Sequence, residues 1–247
     1  MISLRKLDAY PCRKMFMGLL TIPTKQIRSC FDWNFKTYVD SKIPSGFRFS
    51  DTHFYSQIFY NPNSSLQIIR EGENYYLTKK NDKNFAEEIQ IERKPAFYNK
   101  FTSDGKDMSR IIQARSSGRL DITYSNECSL KDKGLDCLFC NINYRKSRFE
   151  KIDNIEWKNP RQIGETIAEA YREGYHGFNL TGGFIPERRE VEYYIDVIEA
   201  VREHVDIPYD EIHGMACVGA PSFETIENYK EAGYQHIATN MEVWDEK

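Results

Sequence analysis

The residues with the clearest chemical potential are three cysteines in one short loop. Cys128 and Cys137 are separated by eight residues, and Cys137 and Cys140 by two. Thiolates are soft ligands, so a loop with three of them can bind a zinc ion or an iron–sulfur cluster. Three sulfurs are one short of the four that close a structural zinc site. On a four-iron cluster they would leave one iron free to bind another molecule.

Two other interpretations of this loop remain open. The first is a zinc-stabilised interaction domain, in which the three thiolates and an aspartate or a histidine, such as His176 or His213, hold a structural zinc ion. An iron–sulfur electron carrier is the second, although the loop offers no fourth cysteine. A disulfide is not favoured, because the chain shows no secretory signal. The scattered Cys12, Cys30 and Cys217 are expected to be small buried hydrophobic residues.

From residue 116 onward the sequence alternates between strand and helix patterns. The predicted strands are Leu120–Ser125, Gly177–Gly183, Glu211–Val218 and Gln235–Val243. The first helix should begin at Pro160 after an Asn159 cap and end at Gly174. The second has apolar residues at helical spacing from Val191 to Val205, and the third carries Phe223, Ile226 and Tyr229 between Ser222 and Gly233.

The order of these elements predicts an α/β fold. Short β-α-β connections imply parallel strands joined by right-handed crossovers. Four such steps make a partial, truncated TIM-like barrel over residues 116–247, incomplete at its C-terminal end. Because the sequence stops after the fourth strand, we expect the chain to be a fragment of a longer protein, or else to join a second subunit.

Residues 1–115 predict a smaller α+β region of unknown role. Thr24–Ser41 has the pattern of an aromatic-rich helix, and Ser65–Lys79 that of a β-hairpin around Gly72. A strand is expected at Ile89–Ile91 and a short helical run at Met108–Gln113. No motif in this region carries chemistry.

Composition excludes two kinds of partner. The 247 residues have a formal net charge of −3, whereas nucleic-acid-binding domains show a basic excess. The longest apolar stretch near the N-terminus, Met15–Ile22, is too short to cross a bilayer. We therefore expect no nucleic acid, no membrane and a cytoplasmic location.

The cysteine loop, with Phe139 directly before its last cysteine, resembles the cluster loop of the radical S-adenosylmethionine (SAM) superfamily. The first arm has eight residues, where the commonest spacing in that family is three. The resemblance implies that Cys128, Cys137 and Cys140 hold a [4Fe-4S] cluster whose fourth iron binds SAM. It implies reductive cleavage of SAM to methionine and a 5′-deoxyadenosyl radical, which abstracts hydrogen from the substrate.

The same resemblance implies partners. An electron donor of the flavodoxin or ferredoxin type would reduce the cluster. The substrate, a small molecule or a peptide, is not identified by any residue of the chain. Phe139 is expected near the adenine of SAM, with a place in the core as the alternative.

A double glycine after the second predicted strand provides a further match. Gly182 and Gly183 resemble the Gly-Gly-Glu motif of the family, which contacts the methionine amino group of SAM, although Phe184 replaces the acid. Glycines lack a Cβ and let backbone approach a ligand closely. A plain strand-to-helix turn is the other interpretation.

The C-terminal stretch resembles biotin synthase and its relatives in Cys217–Gly219, Glu231–Tyr234 and the pair Asn240 and Glu242. In those enzymes an Asn-x-acid pair ends the fourth strand and binds the ribose of SAM. Residues two apart in a strand face the same side. Because active-site groups gather at the carboxyl ends of parallel barrel strands, we expect this pair, the glycines and the cysteine loop to form one site.

Overall fold

Two five-stranded β-sheets, one in each half of the chain, organise the fold. The computed structural model describes residues 21–22, 46–50, 55–60, 64–91, 94–115, 118–125, 127–135, 137, 140 and 157–240. The predicted helix Thr24–Ser41 and the predicted site residues Phe139 and Glu242 lie outside these ranges. Contacts divide the chain into two units, Met1–Lys94 and Pro95–Lys247.

The first unit contains seven short strands in the described residues. They are β1 (Thr21–Ile22), β2 (Gly46–Phe49), β3 (Tyr55–Gln57), β4 (Phe59–Tyr60), β5 (Leu66–Glu71), β6 (Asn74–Lys79) and β7 (Asp82–Ile91). Five of them form an antiparallel sheet in the order β3-β2-β7-β6-β5, and β1 pairs with β4 in parallel. The predicted hairpin is confirmed, since Glu71 pairs with Asn74 and Gly72 takes a φ of 61° in the turn.

One face of this antiparallel sheet forms an apolar core. Its side chains alternate along the strands, which is the pattern of a sheet buried on one side. The buried residues are Phe47, Phe49, Leu66, Ile68, Leu77 and Ile89. The period-two hydrophobic pattern of the sequence therefore explains this half of the fold.

The second unit begins with the short segment that precedes its parallel sheet. Its strands are β8 (Gln113–Ala114), β9 (Leu120–Thr123), β10 (Phe178–Thr181), β11 (Gly214–Val218) and β12 (His236–Thr239). Its helices are α1 (Met108–Ile111), α2 (Ser129–Asp132), α3 (Pro160–Arg172), α4 (Glu187–His204) and α5 (Phe223–Ala232), with 3₁₀ turns at Ala96–Asn99 and Tyr209–Glu211.

The sheet of the second unit has the order β12-β11-β10-β9-β8. Strands β9 to β12 are parallel, with Leu120, Phe178 and Gly214 in register, and β8 joins antiparallel to β9. The predicted α/β alternation with parallel strands is confirmed. Within the described residues the strands form an open sheet and no closed barrel, so the partial barrel stays a prediction.

Helix α3 begins and ends where the sequence predicts. The Asn159 side chain accepts a hydrogen bond from the Arg161 N–H, and Asn159 and Gln162 form a capping box around Pro160. Gly174 follows the last turn with a φ of 90°. Ile163 and Ile167 are buried on the face that the periodicity selected.

Helices α3 and α4 cross closely at a glycine. A Cβ added to Gly164 would lie 2.5 Å from the Ala200 carbonyl oxygen, so a side chain at this position would collide with backbone. The crossing buries Tyr194, Val197, Ile198 and Val201 of α4. These two helices form the apolar layer on one face of the parallel sheet.

Helix α5 begins and ends at the predicted residues. Ser222 caps it through the Thr225 N–H and Gly233 ends it with a φ of 108°. Of its three apolar residues named in the sequence analysis, Tyr229 is buried, whereas Phe223 is 90% exposed and Ile226 is 37% exposed. Phe223 is the first helical residue, one position after the cap, where the helix has not yet reached the core.

Three glutamates, two on α3 and one at its C-cap, accept hydrogen bonds from the segment that precedes the parallel sheet. Glu165, Glu169 and Glu173 lie four residues apart and therefore on one helix face; we call them the acidic ladder. The donors to this ladder are the Ala96 N–H to Glu173 (2.7 Å), the Lys100 ammonium to Glu169 and the Ser103 N–H to Glu165 (2.6 Å). The sequence pattern predicted that the second region starts at residue 116, whereas the second unit of the structure starts at Pro95.

None of the helices in the described part of the chain has the length and apolar character needed to span a membrane.

Candidate functional site

The parallel register brings several sequence-predicted residues to one edge of the second sheet. The cysteine loop follows β9, the double glycine follows β10, Gly219 follows β11 and Asn240 follows β12. Since all four strands run in the same direction, these residues lie at the carboxyl edge of the sheet. We use the term carboxyl edge for this end of β9 to β12.

The first arm of the cysteine loop is a short helix. Cys128 caps α2, and its carbonyl oxygen accepts hydrogen bonds from the N–H groups of Lys131 (3.0 Å) and Asp132 (3.1 Å). Gly134 then takes a φ of 71° and ends the turn. The eight-residue arm therefore accommodates one helical turn that the commonest three-residue spacing could not contain.

The three predicted ligand cysteines are all free thiols. Cys128 and Cys137 are half-buried and Cys140 is exposed. The Cys140 N–H donates to the Cys137 carbonyl oxygen at 3.0 Å, which keeps this pair on one tight turn. Thiols of this kind on one loop fit the donor set of an iron–sulfur cluster or a zinc ion. In the described residues, however, no three His, Cys, Asp or Glu side chains are grouped as metal ligands.

Neither histidine that could complete a zinc site lies near the loop. His176 and His213 precede β10 and β11, at the opposite edge of the sheet. A four-residue strand separates the two edges by roughly 13 Å. His213 Nδ1 pairs with the side-chain oxygen of Gln235, and the His176 ring packs beside Gly118. The structure therefore does not bring these histidines together with the cysteines.

Contacts to backbone groups join the loops of the carboxyl edge. The Ser129 N–H, next to Cys128, donates to the Phe184 carbonyl oxygen at 2.6 Å. The half-exposed Phe184 ring lies over Gly219, where an added Cβ would be 3.2 Å from the ring. The Thr239 hydroxyl donates to the Gly219 carbonyl oxygen at 3.2 Å. The ends of all four parallel strands are thus connected.

Gly182 has an internal packing role that the sequence did not reveal. A Cβ at this position would lie 2.3 Å from Cε1 of Tyr124, whose ring is almost completely buried. Thr123 pairs with Thr181, so Tyr124 and Gly182 are the next residues along neighbouring strands. The glycine is required by this ring, while Gly183 is buried beside it. A large aromatic residue just after one strand, together with a glycine just after the next, is the sequence signal that could have revealed this contact.

Of the predicted SAM-binding pair, Asn240 lies within the described residues and Glu242 does not. Asn240 directly follows β12 and is exposed at the carboxyl edge. Glu242 and Phe139 lie outside the described residues. The roles of Asn240, Glu242, Gly182 and Gly183 in binding a cofactor stay predictions.

A polar face of the sheet escaped the sequence analysis. Burial alternates along the strands, and the half-buried positions carry Asp121, Asn179 and Cys217. Asp121 forms an ion pair with Arg115 at 2.6 Å. The Cys217 thiol donates to the Asn179 side-chain oxygen at 3.0 Å, and burial together with the Asp121 charge raises the pKa of this thiol. Cys217 is therefore half-buried and polar in its contacts, and its prediction as a buried hydrophobic residue was wrong.

Glu190 is a buried acid at the carboxyl edge that the sequence analysis also missed. It lies in the first turn of α4, is 6% exposed and accepts a hydrogen bond from the Gly219 N–H at 3.3 Å. Burial raises the pKa of Glu190 to about 7, and the negative charge of Glu187 adds to the effect. Glu190 gave no distinct sequence signal, because an acid in the first turn of a helix usually lies on a solvated face.

Comparisons with known proteins identify the family but no individual relative. A search of curated proteins and a search of solved structures each found no match. The family model of the radical SAM superfamily matches residues 122–247, which is just over half of the chain and includes the cysteine loop and the ends of all four parallel strands. The chain belongs to the radical SAM superfamily.

Proposed function

We propose that this protein is an enzyme that cleaves SAM reductively and uses the radical product to remove hydrogen from an organic substrate. The observation that carries the proposal is the family match from residue 122 onward, which contains Cys128, Cys137 and Cys140. The hydrogen bond between Ser129 and Phe184 supports it, since it joins the cysteine loop to the double glycine.

The three cysteines would hold a [4Fe-4S] cluster. When bound, such a cluster supplies the electron that cleaves SAM to methionine and a 5′-deoxyadenosyl radical. A backbone hydrogen bond keeps Cys137 and Cys140 on one turn, and Cys128 is fixed as the N-cap residue at the start of α2. These thiols must be deprotonated to act as ligands, and the exposed position of Cys140 allows its proton to leave to solvent.

Residues around the loop would bind SAM. We assign the backbone of Gly182 and Gly183, the side chains of Asn240 and Glu242, and the ring of Phe139 to this role. The support is their order in the sequence and, for the described residues, their common position at the carboxyl edge. The same order favours a biotin synthase-like subgroup and a partial βα barrel.

The partners follow from the chemistry. A flavodoxin- or ferredoxin-type protein would deliver the electron, and the substrate would be a small molecule or a peptide. The polar sheet face that contains Asp121, Asn179 and Cys217 is half-buried and offers hydrogen-bonding groups to such a substrate.

The direct test is SAM cleavage under anaerobic conditions. Reconstituted protein is mixed with SAM and dithionite, and 5′-deoxyadenosine is quantified. We expect slow release from the wild type and from Cys217→Ala, whose thiol lies outside the loop, but none from Cys140→Ala. If an iron–sulfur form of the wild type neither binds nor cleaves SAM, the electron-carrier interpretation replaces the enzyme.

A second test concerns the proposed ribose ligand. A hydrogen bond to a charged acceptor contributes about 1.5–3 kcal/mol, so Glu242→Gln should weaken SAM binding by about ten- to a hundredfold. Glu227→Gln, an exposed acid on α5, is the matched control and should bind SAM like the wild type. Equal affinity in both variants would remove Glu242 from the site, while leaving the cysteine assignment untouched.

A further inference from the structure

The buried carboxyl group of Glu190 has few partners in the described part of the chain. It accepts one long hydrogen bond, from the Gly219 N–H at 3.3 Å. A carboxylate offers about four acceptor positions. Because Glu190 is only 6% exposed, bulk solvent does not reach the remaining positions freely.

Two buried hydroxyls nearby have the opposite deficiency. The side chains of Tyr124 and Tyr229 are 1% and 0% exposed, and neither hydroxyl has a hydrogen-bond partner among the described residues. Buried polar atoms without a partner are rare in folded proteins, because each costs about 1–3 kcal/mol. Each hydroxyl carries a proton that it can donate.

Ring contacts place these three groups in one region. The Tyr194 ring packs against Tyr124, with 5.5 Å between the ring centroids, and against Tyr229 at 5.7 Å, and Glu190 lies one helical turn before Tyr194. Burial raises the pKa of Tyr124 and of Tyr229, and for both phenols the negative charge of Glu190 is the next largest cause. The groups come from three different elements. Tyr124 follows β9, Glu190 lies on α4 and Tyr229 lies on α5.

The other charged and titratable groups around this region are few. The groups on the same helix as Glu190 are Glu187, Arg189, Tyr193 and Tyr194. Glu127 lies in the loop after β9, and Tyr234 follows α5 and packs against Tyr229. The Tyr194 hydroxyl already donates to the Cys217 carbonyl oxygen at 2.6 Å. It therefore has no proton left for Glu190.

We propose that Glu190, Tyr124 and Tyr229 bind buried water at the carboxyl edge of the sheet, with the water accepting from the phenol hydroxyls and donating to the carboxylate. The hydroxyls make no direct hydrogen bond to the carboxylate. Neighbouring buried polar groups that do not bond directly to each other are commonly bridged by an ordered water. Such a water needs two to four polar partners, and these three side chains supply them.

The site would give this edge of the sheet a proton store. Burial raises the pKa of Glu190 to about 7, so its carboxyl group exchanges a proton near neutral pH. The bound water would connect this proton to Tyr124, which follows β9 only four residues before Cys128.

A crystal structure of the protein at high resolution tests the water directly. We expect density for at least one water within hydrogen-bond distance of the Glu190 carboxylate and of a phenol hydroxyl, Tyr124 or Tyr229. A region filled by a side chain, or free of density between these groups, would overturn the proposal.

Substitution of Tyr229 by Phe gives a second test with a decisive sign. If the hydroxyl were truly unpartnered, its removal would relieve a desolvation cost and raise the melting temperature. If it holds water, Tyr229→Phe should lower the melting temperature and raise the pKa of Glu190 by about half a pH unit or more. The pKa is measured by infrared titration of the carboxyl band, with Glu190→Gln as the spectral reference.

The matched control is Tyr234→Phe. The Tyr234 hydroxyl donates directly to the Tyr194 carbonyl oxygen at 2.7 Å. Its removal should also lower the melting temperature, but it should leave the pKa of Glu190 unchanged. A higher melting temperature for Tyr229→Phe, or an unchanged Glu190 pKa, would contradict the proposed site. The water site requires neither cluster nor SAM, so its failure would not affect the proposed function.

Discussion

Carboxylates in two regions of the second unit have opposite surroundings. On the acidic ladder, Glu165 receives donors from Ser103 at 2.6 Å and Arg161 at 2.9 Å. At the carboxyl edge, Glu190 receives one donor at 3.3 Å. The first region pairs its charges and fixes the segment that precedes the sheet. The second leaves polar groups and free thiols at the ends of strands, where ligands are bound in parallel α/β sheets.

The pKa values of Glu165 and Glu190 are shifted in opposite directions. Burial acts to raise the pKa of Glu165, but hydrogen bonds from Ser103 and the charge of Arg161 outweigh it and lower the pKa below its ordinary value. For Glu190 burial dominates, and the pKa rises to about 7. A structural acid is stabilised in its charged form, whereas an acid near a candidate site keeps a proton available.

The largest expected effect on stability concerns the packing beneath the site. Gly182→Ala places a Cβ 2.3 Å from the buried Tyr124 ring, which is itself packed against Trp157 and Tyr194. We expect a loss of about 2–3 kcal/mol in the free energy of unfolding, measured by urea denaturation. Adding Tyr124→Leu should cost less in the Gly182→Ala background than in the wild type. Strictly additive effects would show that the two residues do not collide.

Glu190→Gln should stabilise the protein at alkaline pH. The folded-state pKa lies above the unfolded value of about 4.3, so wild-type stability falls as pH rises from about 4.3 to about 7. Glutamine cannot ionise and still accepts from the Gly219 N–H. We expect equal stability near pH 4 and a gain of about 1–2 kcal/mol for the variant at pH 8. A variant that is less stable than the wild type at pH 8 would mean that the folded protein stabilises the charged form of Glu190 and that the pKa of this carboxyl group is not raised.

Glu165→Gln should behave in the opposite way. Its folded-state pKa is lowered, so its contribution is complete above the unfolded value of about 4.3 and is lost as pH falls below it. At pH 7 the variant should lose about 1 kcal/mol, and this difference should vanish in acid. Glu192→Gln, an exposed pair with Arg188, is the control and should change little at any pH. A deficit that persists in acid would have a cause other than charge.

The smallest effect is expected on helix α5. Phe223 is 90% exposed, so Phe223→Ser should change the free energy of unfolding by less than about 0.5 kcal/mol. Thermal unfolding provides the measurement. A loss of 2 kcal/mol or more, of the order expected for a core residue, would show that the Phe223 ring is buried.

Local signals predicted the framework of the second unit well. Asn159, Pro160 and Gly174 mark the ends of α3, and Ser222 and Gly233 mark those of α5, because caps and left-handed glycines depend on neighbouring residues alone. The parallel order of β9 to β12 followed from the short connections.

Contacts between distant segments were beyond such signals. The acidic ladder on α3 meets residues about seventy positions earlier, and Gly182 is fixed by Tyr124 on another strand. Glu190 looked like one of many exposed helix acids until its neighbours were known. The cysteines were recognised because their spacing is local, while the burial and pKa of the groups around them are tertiary properties.

We propose that the cysteine loop holds an iron–sulfur cluster, and metal content after anaerobic reconstitution with iron and sulfide distinguishes this cluster from a zinc site. The wild type should become brown and contain about four irons per chain, because three thiolates can hold a [4Fe-4S] cluster. Cys137→Ala should lose the colour and the iron, whereas Cys217→Ala should keep both. One tightly bound zinc ion in the wild type, with no iron–sulfur absorption, would show that the loop binds zinc and not an iron–sulfur cluster.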